Sequence, residues 1–272
     1  VIYILDADLN GTDSYQFLVD AKLVTHIPVP TYEVYDQAIR WLISNCDVNA
    51  DVVVLDTISQ QAYATRGDAR FGTDASLDMW DKRTLFLDGD KNYLTLYEMA
   101  GQMIMRRLRN LRATGVRVIA TAHEASQDDQ MITKLAPSMN KALYGSLRSA
   151  TSDIFRMWML PSDILAADGS VRYPTGTRVV SVKPSPTYVA KYHVDPFGAQ
   201  SIPVSGNIVI ETPMVPVLPK VYSYLKKKPT FLCLYGEQGV GKTTAAVSEA
   251  FELFLGEKHP DLLEQAKALY CP

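Results

Sequence analysis

One stretch constrains this chain more than any other: Gly236, Glu237, Gln238, Gly239, Val240, Gly241, Lys242, Thr243 and Thr244 in succession. Glycine, four residues, then Gly-Lys-Thr is the spacing of a loop whose backbone N–H groups turn inward around phosphate oxygens. It works only between an apolar strand and a helix N-terminus. Both flanks are present: Thr230 to Gly236, "TFLCLYG", reads as a buried strand, and Lys242 to Leu255 as the helix leaving the loop. An α/β fold follows, a mainly parallel twisted sheet flanked by helices with the loop at its carboxyl edge. There Lys242 would reach the terminal phosphates of a nucleotide, and Thr243 would offer its hydroxyl to Mg²⁺, which usually takes one or two ligands from the protein.

A phosphate loop alone does not hydrolyse a nucleotide; the metal needs a carboxylate at the end of a neighbouring strand, and water needs an orienting group. Nothing after Lys242 supplies them. Upstream, three apolar runs end in polar groups: "VIYILDAD" in Asp6 and Asp8, "DVVVLD" in Asp56, and "VRVIATAHE" in His123 and Glu124. Asp56 is the expected partner of the metal. The chain is therefore expected to form one domain over 1–272 in permuted order, 214–272 carrying the loop with its strand and helix, followed in the fold by 1–213. Val1 stands at the start and Met214 opens "MVPVLPK", so this order would run from Pro272 directly into Val1 and should place the two close together.

Elsewhere, Thr31 is an expected N-cap for a helix over Tyr32 to Ser44, with Val34, Ala38, Trp41 and Leu42 on its apolar face. Leu94 to Thr114 reads as a second helix, lined by Leu96, Met99, Met103, Leu108 and Leu111, with Arg106, Arg107, Arg109 and Arg112 in its later half. Gln60 to Asn92 carries little periodicity and reads as a functional or mobile loop with some helical turns, and Ala125 to Lys141 is again polar and irregular. "RVVSVK" and "TYVAKYHV" look like an antiparallel pair at a sheet edge, and Asp261 to Tyr270 like a last helix. A net charge of -3 argues against a protein that coats nucleic acid by bulk charge, so any such contact must be local. The longest apolar runs are strand-sized, which excludes a membrane helix of about 20 residues. Cys46, Cys233 and Cys271 match no metal-ligand spacing and suit free thiols in a reducing cytoplasm.

Taken in the permuted order, these motifs resemble the RecA-type ATPase core, specifically the compact RecA-like ATPases of phages associated with single-strand annealing and recombination. "YILDADLNGTD" is similar to that family's strand ending in a catalytic acid, "DVVVLDTIS" to its Walker B strand, and "VIATAHEAS" to its third strand with a polar sensor. "TRVVSVKPSPTYVAKYH" is similar to its late strand pair carrying lysines. The resemblance implies a Mg²⁺-dependent ATP hydrolase in which Asp56 holds the Mg²⁺-bound water. Asp8 matches the glutamate that polarises the attacking water, one methylene shorter; His123 and Glu124 match the sensor, though His123 reads equally well as a buried, hydrogen-bonded histidine. Lys183 and Lys191 match cations inserted into a neighbouring subunit's site, which implies a homo-oligomer, and read nearly as well as solvated strand lysines.

By the same resemblance the two irregular stretches fall where single-stranded DNA is bound. Arg66, Arg70, Phe71, Trp80, Lys82 and Arg83 mix cations with stacking rings, which suits that partner. Three alternatives stay open: another ring motor for unwinding or packaging DNA, a small-molecule kinase, and a nucleotide-gated assembly module without significant hydrolysis.

Overall fold

Runs of β-branched and aromatic residues with no polar face can be satisfied only as strands covered on both sides. A computed structural model of the chain shows this arrangement. It describes residues 1–9, 16–48, 50–71, 84–87, 92–129, 132–139, 141–166, 168–181, 184–191, 202–203, 209–210, 212–213, 231–243, 245–247 and 250. In chain order the elements are β1 (Ile2–Asp6), α1 (Gln16–Asp20), β2 (Val24–Pro28), α2 (Tyr32–Asn45), β3 (Val52–Asp56), α3 (Ile58–Phe71), β4 (Thr84–Leu87) and β5 (Asn92–Thr95). Next come α4 (Leu96–Ala113), β6 (Arg117–Asp129), β7 (Ile132–Pro137), α5 (Lys141–Ala150), β8 (Asp153–Met159), β9 (Ile164–Leu165), β10 (Val171–Tyr173) and β11 (Arg178–Ser181). Then follow β12 (Ile202–Pro203), β13 (Val209–Ile210), β14 (Thr212–Pro213) and β15 (Phe231–Gly236).

The main sheet runs β14-β11-β8-β15-β6-β3-β1-β2, with β7 attached to the far end of β6. Every pairing from β2 to β8 is parallel, and β11 and β14 close that edge antiparallel. The last strand in sequence is thus central in space, between β6 and β8.

Alternate side chains separate two cores. Ile2, Ile4, Val52, Val54, Leu232 and Leu234 face one way, against Leu18 of α1 and the alanines of the helix that begins at Lys242. Tyr3, Leu5, Val53, Leu55, Cys233 and Tyr235 face the other, against α2, α4 and α5. Each fully buried aliphatic side chain contributes about 1.5–3 kcal/mol, so either layer alone outweighs any single polar contact described below.

Several expectations need correction. Thr31 caps α2 as expected, accepting from the Val34 N–H at 3.3 Å. The fully buried stripe, however, is Tyr35, Ile39 and Leu42; Val34 and Ala38 pack partly buried against the same core, and Trp41, 49% exposed, makes a T-shaped ring contact with Tyr3. The Tyr35 hydroxyl donates to the Ile104 carbonyl at 3.5 Å, which puts this stripe against α4. In α4, among the described side chains, Ala100, Ile104, Met105, Leu108 and Leu111 are buried and Met103 is partly exposed; those of Leu96 and Met99 lie outside them.

The helical turns expected in the stretch from Gln60 are a continuous helix that runs to Phe71. Thr57 caps α3 through its side chain to the Gln60 N–H at 3.1 Å, and the face it buries is polar (Ser59, Gln61, Thr65), which hides the helical period. The stretch from Ala125 is the β6–β7 hairpin, with Glu124 opposite Pro137 and Asp129 opposite Ile132. Among the described residues of the late stretch, β11 joins β8 and β14 antiparallel at the sheet edge, while Tyr188 and Lys191 make single bridges to Leu135 and Ile154. Trp80, Lys82, Arg83, Lys183, Thr244, the helix expected at 261–270 and Pro272 lie outside the described residues, so the expected closeness of Pro272 to Val1 does too.

Candidate functional site

Parallel pairing carries the carboxyl ends of β1, β3, β6 and β15 to one edge, and register decides which side chains meet there. Asp6 lies opposite Asp56, Leu55 opposite Ala120, and Gly236 opposite His123. Asp56 is thereby level with Thr121.

The loop after β15 is built by its glycines. A Cβ on Gly236 would sit 2.0 Å from the Met157 carbonyl oxygen, so only glycine lets β15 run this close to β8. Gly239 and Gly241 have φ of 79° and 88°, which side chains rarely adopt. Val240 is buried in the core and pins the turn, while Glu237, Gln238 and Gly239 are exposed. Lys242, 6% exposed, donates its ammonium to the carbonyls of Gly236 at 3.1 Å and Glu237 at 2.7 Å. Burial lowers its pKa, opposed by the charges of Asp56, Asp8, Glu124 and Glu237.

Asp56 holds the loop to the sheet. The Thr243 hydroxyl donates to its Oδ2 at 2.8 Å, and the Thr121 hydroxyl donates to its Oδ1. Burial raises the Asp56 pKa, and these two hydroxyls draw it back down. A carboxylate and a hydroxyl in direct contact beside a phosphate loop form a hard, all-oxygen donor set that fits Mg²⁺, with phosphate and water as its remaining ligands.

Asp8 stands one strand further along. Its Oδ1 accepts from the Thr57 hydroxyl at 3.4 Å, and its Oδ2 lies 3.8 Å from His123 Nε2. Burial raises its pKa; His123 counters this, Asp6 adds to it, and Thr57 and Lys242 lower it. Asp6 itself is buried and turned away, accepting from the Leu9 N–H at 2.8 Å and facing His26 Nε2 at 3.0 Å. The His123 backbone is fixed at both groups, its N–H donating to Ser59 Oγ at 3.1 Å and its carbonyl accepting from the Ser138 N–H at 2.6 Å.

Glu124 does not face the loop freely. Arg156 of β8 grips it with Nε at 2.6 Å and Nη2 at 3.1 Å, and the guanidinium lies 5.4 Å from the ring centres of both Trp158 and Tyr188. Lys191 sits at the opposite end of β8, its ammonium donating to the carbonyls of Arg148 at 2.9 Å and Thr151 at 2.6 Å, at the end of α5. A role at a neighbour's phosphates would require breaking both bonds.

The structure thus gathers Gly236 to Thr243, Asp56, Asp8 and His123 at one edge and leaves Lys191 away from it. Sequence reading missed Thr121, Ser59 and Arg156. In the sequence Thr121 is only a threonine inside the apolar run "VIATA"; its level with Asp56 comes from the register.

Among the described residues no helix is long and apolar enough to cross a membrane. No curated protein matches the chain, and no solved structure does. The family model described as an AAA domain matches residues 16–193, well over half the length, and its span ends before the phosphate loop. With that match joined to a central strand, a glycine loop and a carboxylate on the neighbouring sheet edge, the chain belongs to the AAA domain family of P-loop ATPases.

Proposed function

We propose that this protein is a Mg²⁺-dependent ATP hydrolase of the RecA-like kind that couples ATP binding and hydrolysis to single-stranded DNA binding, in phage-type recombination or annealing. The observation that carries the reading is the Thr243–Asp56 contact, which joins the phosphate loop to the expected metal carboxylate. Bound there, Mg²⁺ would neutralise charge on the terminal phosphates. Lys242 would exchange its loop carbonyls for phosphate oxygens. Asp8 would accept a proton from the attacking water or orient it, with His123 beside it.

The DNA reading is supported by position and composition. The β6–β7 hairpin starts directly after His123, and Arg66, Arg70 and Phe71 lie at the end of α3. A homo-oligomer is the expected working form, with Lys183 or Lys191 serving a neighbour, in a reducing cytoplasm. Domain order is read as permuted, since the last strand is the central one; joining 214–272 ahead of 1–213 should leave nucleotide binding unchanged.

The test is ATP turnover against protein concentration, with and without single-stranded DNA, for the parent and for Lys242→Ala. Turnover that rises with DNA and is lost in the variant supports the reading. Turnover indifferent to any polynucleotide refutes the DNA coupling. A second reading, a nucleotide-gated assembly module, is favoured by the short Asp8 side chain and its tie to Thr57, and predicts ATP binding with no hydrolysis at any protein concentration.

A further inference from the structure

Asp8 lies two residues beyond the end of β1, where sheet pairing has stopped, yet its carboxylate is not left to rotate. β3 runs between β1 and β6, and the turn that follows it reaches to both sides. Toward β1, the Thr57 hydroxyl donates to Asp8 Oδ1 at 3.4 Å; toward β6, Ser59 Oγ accepts the His123 N–H at 3.1 Å. Both side chains are buried. Thr57 is also the cap of α3, and the cap orients it. A hydroxyl carries one proton and two lone pairs. Accepting the Gln60 N–H at 3.1 Å fixes the oxygen without using that proton, which remains for Asp8. With Oδ1 tethered, Oδ2 is the oxygen turned to His123 Nε2, 3.8 Å away. At that distance the two groups are beyond direct hydrogen bonding, so their mutual position is set by what holds each of them.

We propose that Thr57 is a positioning residue for hydrolysis: it sets the Asp8 carboxylate against His123, whose backbone Ser59 holds from the other side of the same turn. The inference rests on the ATPase reading and gives the first turn of α3 a task in it. In this role Thr57 acts through Asp8 alone and need not meet nucleotide or metal. Its loss would leave the phosphate loop and the Thr243–Asp56 contact in place while freeing the acid to turn away from its post.

The measurement is the ATP turnover number beside the affinity for a fluorescent ATP analogue in Mg²⁺. Thr57→Val removes both the donor and the cap, Thr57→Gly removes the donor at little cost to a helix cap, and Thr57→Ser keeps both. Thr57→Val and Thr57→Gly should each lower turnover about tenfold or more, since a reacting group displaced by about 1 Å can cost about a hundredfold. Nucleotide affinity should barely change, and only Thr57→Val should melt clearly lower. Thr57→Ser should recover most of the rate. In an Asp8→Asn background, exchanging Thr57 for glycine should bring no further loss, because the group it positions is gone. Ser59→Ala should lower turnover in the same direction, again with affinity kept. If Thr57→Val does not fold, Thr57→Gly carries the comparison. Unchanged turnover in Thr57→Gly, a loss matched by weaker nucleotide binding, or an equal further loss in the Asp8→Asn background overturns the proposal while leaving the ATPase reading intact. A parent protein that binds ATP and never hydrolyses it, with or without single-stranded DNA and at any protein concentration, overturns the reading and the proposal together.

Discussion

Thr243 and Asp56 stand 187 positions apart in sequence and 2.8 Å apart in space, hydroxyl to carboxylate. A loop encoded near one end of the chain is thereby fastened to the third strand of the sheet. Asp56→Asn should retain nucleotide affinity in chelator but lose the tightening by Mg²⁺, by at least about tenfold or 1.4 kcal/mol. Because burial raises the Asp56 pKa, the neutral amide also removes the cost of holding a charge there, and the melting temperature should hold or rise. Nucleotide titrations paired with thermal unfolding check both halves.

Gly236 and Gly239 serve the loop for different reasons, and alanine separates them. At Gly236 the new Cβ would lie 2.0 Å from a backbone oxygen of β8, on a strand hemmed in on both sides. Gly236→Ala should cost about 3 kcal/mol, the upper end of over-packing penalties, or prevent folding. Gly239 meets nothing within 4 Å, so only its φ of +79° opposes a side chain. Gly239→Ala should cost about 1–2 kcal/mol. Denaturant unfolding of the two variants gives the order.

Asp8 carries a cost consistent with a working group. Burial raises its pKa above the usual 3.8, only partly offset by His123, Thr57 and Lys242. A carboxylate raised on folding favours the folded state at low pH. It begins to oppose folding as pH climbs past the unfolded value, and does so fully above the folded one. Asp8→Asn should therefore melt higher than the parent near pH 7, with the advantage shrinking as pH falls toward 4. Turnover should drop in the same variant, and the acid limb of the parent's pH–rate profile should lie above an ordinary carboxylate's. A variant that melts lower at neutral pH would contradict this account.

The features legible in the sequence were those that local chemistry writes into consecutive residues. The glycine loop, its strand, and the acids ending β1 and β3 could be read because each motif is contiguous and each strand is apolar throughout. Thr121 could not, since a threonine in an apolar strand is ordinary until register sets it level with Asp56. The α2 face was misplaced by one residue because apolar side chains occupy more than half of its circumference, and only packing on α4 selects among them. The β6–β7 hairpin was hidden because it is a backbone pairing, from Glu124 opposite Pro137 to Asp129 opposite Ile132, in a stretch of residue types with no apolar alternation to announce it. Lys191 read as a cation for a neighbouring subunit or as a solvated strand lysine, since nothing in its sequence neighbourhood shows the carbonyls of Arg148 and Thr151 at the end of α5 that its ammonium meets.

Glu124 is the residue whose role the structure changes most, and its variants discriminate between strut and sensor. Arg156 and Glu124 form a two-pronged pair, their side chains 12% and 6% exposed, that spans from β8 to β6 across the strand carrying Gly236. Removing one partner of a buried pair strands the other charge, typically at about 3–5 kcal/mol. Glu124→Met and Arg156→Met should each destabilise by roughly that amount. The double variant, with neither charge left to bury, should be destabilised by much less than the sum of the two. If Glu124 instead reported on a bound phosphate, Glu124→Gln would lower turnover with little change in melting temperature, and Arg156→Met would not compensate for it. A double-mutant cycle read by both unfolding and ATP turnover distinguishes the two: coupling in stability marks the strut, and loss confined to turnover marks the sensor.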